Sequence, residues 1–122
     1  MATNWTFPRQ AAQRIAAIGL QDFCVPVGCL DETGTSADPT GFPVYLAFVK
    51  GDKTVPSDGD WVVASWQTWN QASGNPAYMA RVEIGAGGTI ALAAGRWFVW
   101  AGTHVDGEVP ISPGYCAIVD II

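Results

Sequence analysis

The segment Leu92–Ala101 constrains the fold more than any other part of the chain, because large apolar side chains follow one another in it. It reads LAAGRWFVWA, with Gly95 marking a tight corner ahead of an aromatic run. Successive side chains of a β-strand point to opposite faces of a sheet. One face of this strand would therefore carry Trp97, Val99 and Ala101. The other face would carry Phe98 and Trp100.

The two faces of this strand have different consequences. One face can fill the core of the domain, whereas the second needs another cover, because adjacent exposed aromatics on a small domain favour association. We expect Phe98 and Trp100 to pack between subunits or under the N-terminal segment. On this reading, Trp100→Asp abolishes assembly and leaves a folded monomer. The pattern indicates an assembly component rather than a solitary enzyme.

Length and composition narrow the class of protein. A chain of 122 residues forms one domain. Its 14 Gly and 8 Pro residues favour strands joined by tight turns. Charged residues make up 14%, which indicates that partner subunits cover much of the surface. The net charge of −5 argues against binding of nucleic acid. No secretory signal and no apolar run long enough for a membrane span are apparent.

From residue 22 onward the pattern is strand and turn. Phe23, Val25 and Val27 alternate, and Pro26 between them is typical of an edge strand. Further strands are predicted at Val44–Val49, Trp61–Trp66, Tyr78–Ile84 and Tyr115–Val119, besides the aromatic strand. About seven short strands with turn signals between them predict an antiparallel β-sandwich or barrel over residues 22–122.

Residues 1–21 differ from the rest and predict a short helical arm. Pro8 and Gly19 bracket the alanine-rich run Arg9–Ile18, as expected at the two ends of a helix. An apolar stripe at helical spacing would consist of Ala11, Ile15 and Ile18. Because a helix of three turns is marginal alone, we expect it to dock on the sandwich or on a neighbour. Trp5 and Phe7 ahead of it should be anchored as well.

Several turn residues and core aromatics carry a resemblance to known proteins. The stretch from Leu92 through Gly95 to Trp97 resembles the Leu-x-x-Gly-x-aromatic corner of immunoglobulin-like sandwiches. A broader match consists of residues 38–44, 60–61, 78–81, 87–89, 95–97 and 108–110. On these segments the chain resembles small β-sandwich proteins encoded among the virion structural genes of tailed phages infecting actinobacteria. It is similar, more distantly, to the immunoglobulin-like N-terminal domain of phage baseplate upper proteins.

The resemblance implies an all-β, immunoglobulin-like antiparallel sandwich that acts as a non-enzymatic virion subunit without a cofactor. Its place would be the capsid surface, the head–tail region or the tail and baseplate, after synthesis in the cytoplasm of the bacterial host. Partners would be further copies of the chain, with a trimer favoured, and other virion proteins. The residues we expect at its interfaces are Trp5, Phe7, Ile15, Ile18, Phe98 and Trp100.

The six tryptophans favour one alternative function, a glycan-binding adhesion module. Sandwich modules that bind carbohydrate stack sugar rings on exposed tryptophans. Trp61 and Trp66 are five positions apart, so in a regular strand they face opposite ways and one of them belongs to the core. Trp69, expected in the following loop, is the best candidate for an exposed platform.

Catalytic and metal chemistry find little support in the sequence. His104 is the single histidine, and no Gly-x-Ser-x-Gly or cysteine nucleophile motif accompanies it. An enzyme would require a polar cleft around His104. Asp58-Gly59-Asp60 resembles part of a calcium loop but lacks the downstream bidentate glutamate, so a turn is predicted and no metal site.

The three cysteines are predicted to be buried free thiols. Cys24, Cys29 and Cys116 are odd in number and show no metal-ligand spacing. On one continuous strand, Cys24 and Cys29 would lie on opposite faces and too far apart to bridge. Pro26 and Gly28 allow the chain to bend, which leaves a disulfide between them as the alternative.

Overall fold

A computed structural model describes residues 2–16, 19–50, 55–70, 76–105 and 109–122. Its described part consists of nine strands and one 3-10 turn. The strands are β1 (Ala2–Thr6), β2 (Gln13–Ile15), β3 (Gln21–Pro26), β4 (Gly28–Asp31), β5 (Val44–Lys50), β6 (Trp61–Asn70), β7 (Pro76–Ile84), β8 (Gly95–Thr103) and β9 (Ala117–Ile121). The 3-10 turn is Asp58–Asp60.

Seven of these strands follow one another in the order β2-β9-β8-β5-β6-β7-β3. Neighbours are antiparallel except β2 and β9, which are parallel. β6 belongs to two layers, because its first residues pair with β5 and its residues from Ser65 onward pair with β7. β1 and β4 form a separate antiparallel pair. The all-β sandwich predicted from the turn and strand pattern is confirmed.

The main core lies between the two layers and follows the predicted alternation. On β7, Ala80, Val82 and Ile84 are buried, as expected from their two-residue spacing. Phe23 of β3 and Phe48 of β5 meet across the core with ring centroids 5.9 Å apart. β3 lies at one end of the strand order, which agrees with the edge position that Pro26 predicts.

The corner before β8 is formed as the sequence predicts. Gly95 has a φ of +132°, a backbone conformation that side chains other than hydrogen rarely adopt. Trp97 donates its indole N–H to the carbonyl oxygen of Ala93 at 2.9 Å. Leu92 packs half-buried against the main core. The corner positions β8, and the immunoglobulin-like assignment stays a prediction.

The predicted N-terminal helix is wrong. Residues 2–6 and 13–15 are strands, and Ala11 is exposed while Ile15 is buried, so the helical stripe does not exist. A helix of three turns gains little stability by itself, because its nucleation is costly. The edges of β4 and β9 offer backbone partners that this segment uses instead, and β9 also accommodates Ile15 in the core.

Candidate functional site

The two faces of β8 have the composition that its sequence predicts. Val99 and Ala101 are buried in the main core, with Trp97 packed against it. Phe98 and Trp100 point to the outer face of the larger layer, where they form a second buried cluster with Ala47. An apolar outer face therefore exists, and what covers it decides its function.

Tyr115 covers one half of this outer face. Its ring lies edge-on to Phe98 and Trp100, with centroid distances of 4.9 and 6.1 Å. The pairing of Val99 with Ala117 changes register before Gly102 meets Ile111, so the segment between them bulges out of the sheet. The bulge carries Tyr115 over the face and is tied back to β8, where the Cys116 N–H donates to the Val99 carbonyl at 2.8 Å.

The N-terminal segment contacts Tyr115 and the residue that follows it. The Arg9 guanidinium lies 4.2 Å from the centroid of the Tyr115 ring, in the geometry of a cation–π contact. The Gln10 N–H donates to the carbonyl oxygen of Cys116 at 2.8 Å. The cover thus depends on residues from both ends of the chain.

Phe98 and Trp100 are consequently not exposed. Their exposed fractions are 7% and 4%. Of the two placements expected for them, the structure shows packing beneath the chain's own segments, so neither ring offers a surface to a second subunit. Trp100→Asp should therefore destabilise the fold rather than leave a folded monomer, because a carboxylate at this buried position loses its hydration.

The N-terminal side chains expected at interfaces lie against the chain's own core. Trp5 and Phe7 are half-buried there, and the Trp5 ring meets Phe42 edge-on at 5.7 Å. Ile15 is 4% exposed. Ile18 lies outside the described residues. Contacts of these side chains with another subunit stay a prediction.

The other half of the outer face remains open, and sequence reasoning missed it. A groove of about 560 Å³ lies there beside the C-terminal part of β8. Its lining residues are Tyr45, Val55, Pro56, Asp58, Trp61, Gly102, His104, Val109 and Ile111. Val63 adjoins it, because it is the cross-strand neighbour of Tyr45.

Most of this surface is apolar and accessible. Val55 is 77% exposed, Val63 is 67% exposed and Ile111 is 45% exposed. We call the surface formed by Tyr45, Val55, Trp61, Val63, Val109 and Ile111 the open patch. Contiguous exposed apolar side chains on a small domain mark an interaction surface. The signal in the sequence was the apolar side chain at both Trp61 and Val63, on the face of β6 opposite Val62.

His104 lies at the rim of this groove. Its ring is 5.5 Å from that of Tyr45 in an edge-on arrangement. The cleft around it is lined mainly by apolar side chains, with Asp58 as the charged lining residue, and is not the polar cleft an enzyme hypothesis requires. Asp60 of the neighbouring turn accepts from the Ser57 N–H at 2.9 Å and from its hydroxyl at 3.0 Å. The absence of activity stays a prediction.

Trp69 is exposed, though on a strand rather than in a loop. β6 extends to Asn70, and Trp69 pairs with Ala77 of β7. Its exposed fraction is 59%. Trp61 and Trp66 face opposite ways as predicted: Trp61 packs on the second cluster, whereas Trp66 packs on the main core. The Trp66 indole N–H donates to the Phe42 carbonyl at 2.7 Å, which fixes it there.

The thiols are free and shielded. Cys29 and Cys116 are buried and Cys24 is half-buried. All three are free, and no disulfide joins Cys24 to Cys29. Burial raises the pKa of the Cys116 thiol to about 11. Within the described residues, no group of three His, Cys, Asp or Glu side chains is placed to hold a metal ion. In the same part of the chain, no helix has the length and apolar character to cross a membrane.

Within the part of the chain that the structure describes, two exposed ion pairs join neighbouring strands. Arg96 of β8 contacts both carboxylate oxygens of Asp120 on β9, at 2.7 and 2.9 Å, and the hydrogen bonds lower the pKa of Asp120. Arg81 of β7 pairs with Asp22 of β3. Exposed pairs of this kind add little stability.

Comparison with known proteins assigns no family. No family model matches the chain, and no curated protein matches it. Among solved structures, the chain has a low similarity to the crystal structure of AggA, the major subunit of aggregative adherence fimbriae type I from Escherichia coli. The match has a TM-score of 0.37 at 9% identity, and it covers 100% of this chain and 95% of that subunit. At this TM-score the likeness carries no argument about function.

Proposed function

We propose that the chain is a non-enzymatic structural subunit of a tailed-phage particle and assembles with further copies of itself through the open patch. The resemblance of its turn and core residues to phage virion proteins supports the assignment to a phage particle. The immunoglobulin-like form of the sandwich belongs to the same proposal. The subunits contact one another through the open patch and not through Phe98 and Trp100, because the chain itself covers those two rings.

The observation that carries the proposal is the division of the outer sheet face. Tyr115 covers one half, whereas Val63 and Ile111 in the other half remain exposed. Burial of apolar surface contributes about 25 cal/mol per Å², so a patch of several such side chains can hold subunits together when many contacts act at once. Among the residues that line the groove, Asp58 is the charged one, so few like charges face one another when two copies meet there.

Light scattering across a dilution series tests the subunit contact. We expect the wild-type protein to form a defined oligomer and Val63→Asp to remain monomeric, because a carboxylate in the contact would lose its hydration. Thr68→Asp is the matched control, since Thr68 lies exposed on the same strand outside the open patch. A wild-type monomer at all concentrations, or an oligomer of Val63→Asp as stable as that of Thr68→Asp, would contradict the proposal.

The location of the chain in a phage particle is tested by a separate experiment. Antibodies against the purified protein should label intact particles of the phage from whose genome the chain is expressed. Mass spectrometry of the purified particles should find the chain in a fixed ratio to their major proteins. Its absence from them would refute the virion assignment while leaving self-assembly untouched.

A glycan-binding module remains the second candidate, favoured by the 59% exposure of Trp69. An exposed indole face suits stacking against a sugar ring. Binding to immobilised bacterial cell-surface glycans should disappear in Trp69→Ala and persist in Trp69→Tyr, which keeps an aromatic face. Unchanged binding in Trp69→Ala would exclude this platform, and equal thermal unfolding of the two variants would show that both are folded.

A further inference from the structure

The beginning of the chain lies along two sheet edges as an extended segment, and we call residues 2–15 the N-terminal arm. Its strand β1 pairs with β4, and its strand β2 pairs in parallel with β9. Between them, the Gln10 N–H donates to the Cys116 carbonyl. All of these partners come from residue 28 onward, so the arm is bound by the body of the domain and not by a hairpin of its own.

The arm completes both apolar clusters of the body. Ile15 is buried in the main core, Trp5 packs on Phe42, and Arg9 lies over Tyr115. A body without an arm would leave these positions open. Because every copy has the same sequence, the arm of a second copy offers the same body the same backbone and side-chain contacts.

The link between arm and body is short. Five positions of the sequence separate β2, at one end of the strand order, from β3 at the other end. Ala16, Gly19 and Leu20 are exposed. The backbone of Gly19 lies close to Gly85, where a side chain would clash with the Gly19 carbonyl. Parallel strands have no tight turn to hold them together. Short links favour exchange of a terminal segment between copies.

We propose that the N-terminal arm exchanges between copies, so that the arm of one chain occupies the edges of β4 and β9 of a second chain in the registers seen here. The inference rests on the proposed function, since the arm is exchanged only between copies that contact through the open patch. The exchanged contact is separate from the open patch, which lies on the sheet face and not on these edges.

Engineered disulfides test the exchange. Arg14 and Asp120 are direct neighbours on β2 and β9, so Arg14→Cys with Asp120→Cys places two thiols within bridging reach. The half-buried Cys24 is replaced by serine throughout to prevent competing bridges. The control pair is Asp22→Cys with Glu83→Cys on β3 and β7 within the body. The two pairs are matched, because each removes one exposed ion pair through its aspartate.

A second arm pair keeps the test informative if the first unfolds the protein. Asn4→Cys with Leu30→Cys joins β1 to β4 at the other edge. After oxidation of the oligomer, denaturing electrophoresis without reductant should show chains linked to one another for both arm pairs and single chains for the control pair. Mixing the single variants Arg14→Cys and Asp120→Cys before assembly should also yield linked chains.

The outcomes separate this inference from the proposed function. An oligomer whose arm pairs link only within single chains overturns the exchange and leaves assembly standing. A protein that forms no oligomer overturns both. An oligomer with no link at either arm edge also overturns the exchange, because an exchanged arm keeps the same registers.

Discussion

At the scale of single residues, Tyr115 decides how much of the outer sheet face is available. It lies against Phe98 and Trp100, and the Arg9 guanidinium lies over its ring. The aromatic pattern of β8 predicted an apolar outer face correctly. It could not predict that Tyr115 covers this face, because that position depends on the bulge before β9. The bulge changes the strand register, and no residue type in the sequence indicates such a change.

Removal of the Tyr115 ring should destabilise the fold. We expect Tyr115→Ala to lower the free energy of unfolding by about 2–4 kcal/mol, since it uncovers two large rings and leaves a cavity. Tyr115→Phe keeps the ring contacts and should stay within about 1 kcal/mol of wild type. Urea unfolding followed by tryptophan fluorescence measures both. Equal midpoints for Tyr115→Ala and wild type would show that the ring does not stabilise the second cluster.

At the scale of elements, the sequence predicts strands better than it predicts the partners of the chain's ends. The alternation on β3 and β7 follows from burial of one face and is readable residue by residue. The arm was misread as a helix because local propensity cannot register an open sheet edge elsewhere in the chain. β6 continues through Trp69 for a similar reason, since its partner β7 begins at Pro76.

The turn after β7 gives a prediction at this scale. Gly85 has a φ of +139°, and a Cβ there would clash with the backbone of Gly19. Gly87 also has a positive φ but faces open space. We expect Gly85→Ala to cost about 2–4 kcal/mol and Gly87→Ala about 1 kcal/mol, because only the first adds a clash to the backbone strain. Thermal unfolding compares them, and equal losses would contradict the close approach of the link.

At the scale of the whole molecule, the outer sheet face has two halves, one covered by the chain itself and one available for assembly. The half beneath Tyr115 stabilises the subunit, and the half formed by the open patch is left for a neighbour. Trp69 lies outside the open patch, so glycan binding and subunit contact concern different surfaces of the same domain. That separation allows one measurement to tell them apart.

Hydroxyl-radical footprinting of the assembled and the dissociated protein tests the central claim most directly. Mass spectrometry reads the oxidation of Tyr45 and Trp61 in the open patch, with Trp69 as the internal reference outside it. We predict that assembly protects Tyr45 and Trp61 several-fold and leaves Trp69 unchanged. Equal oxidation of the open patch in both states, or protection confined to Trp69, would contradict assembly through this face.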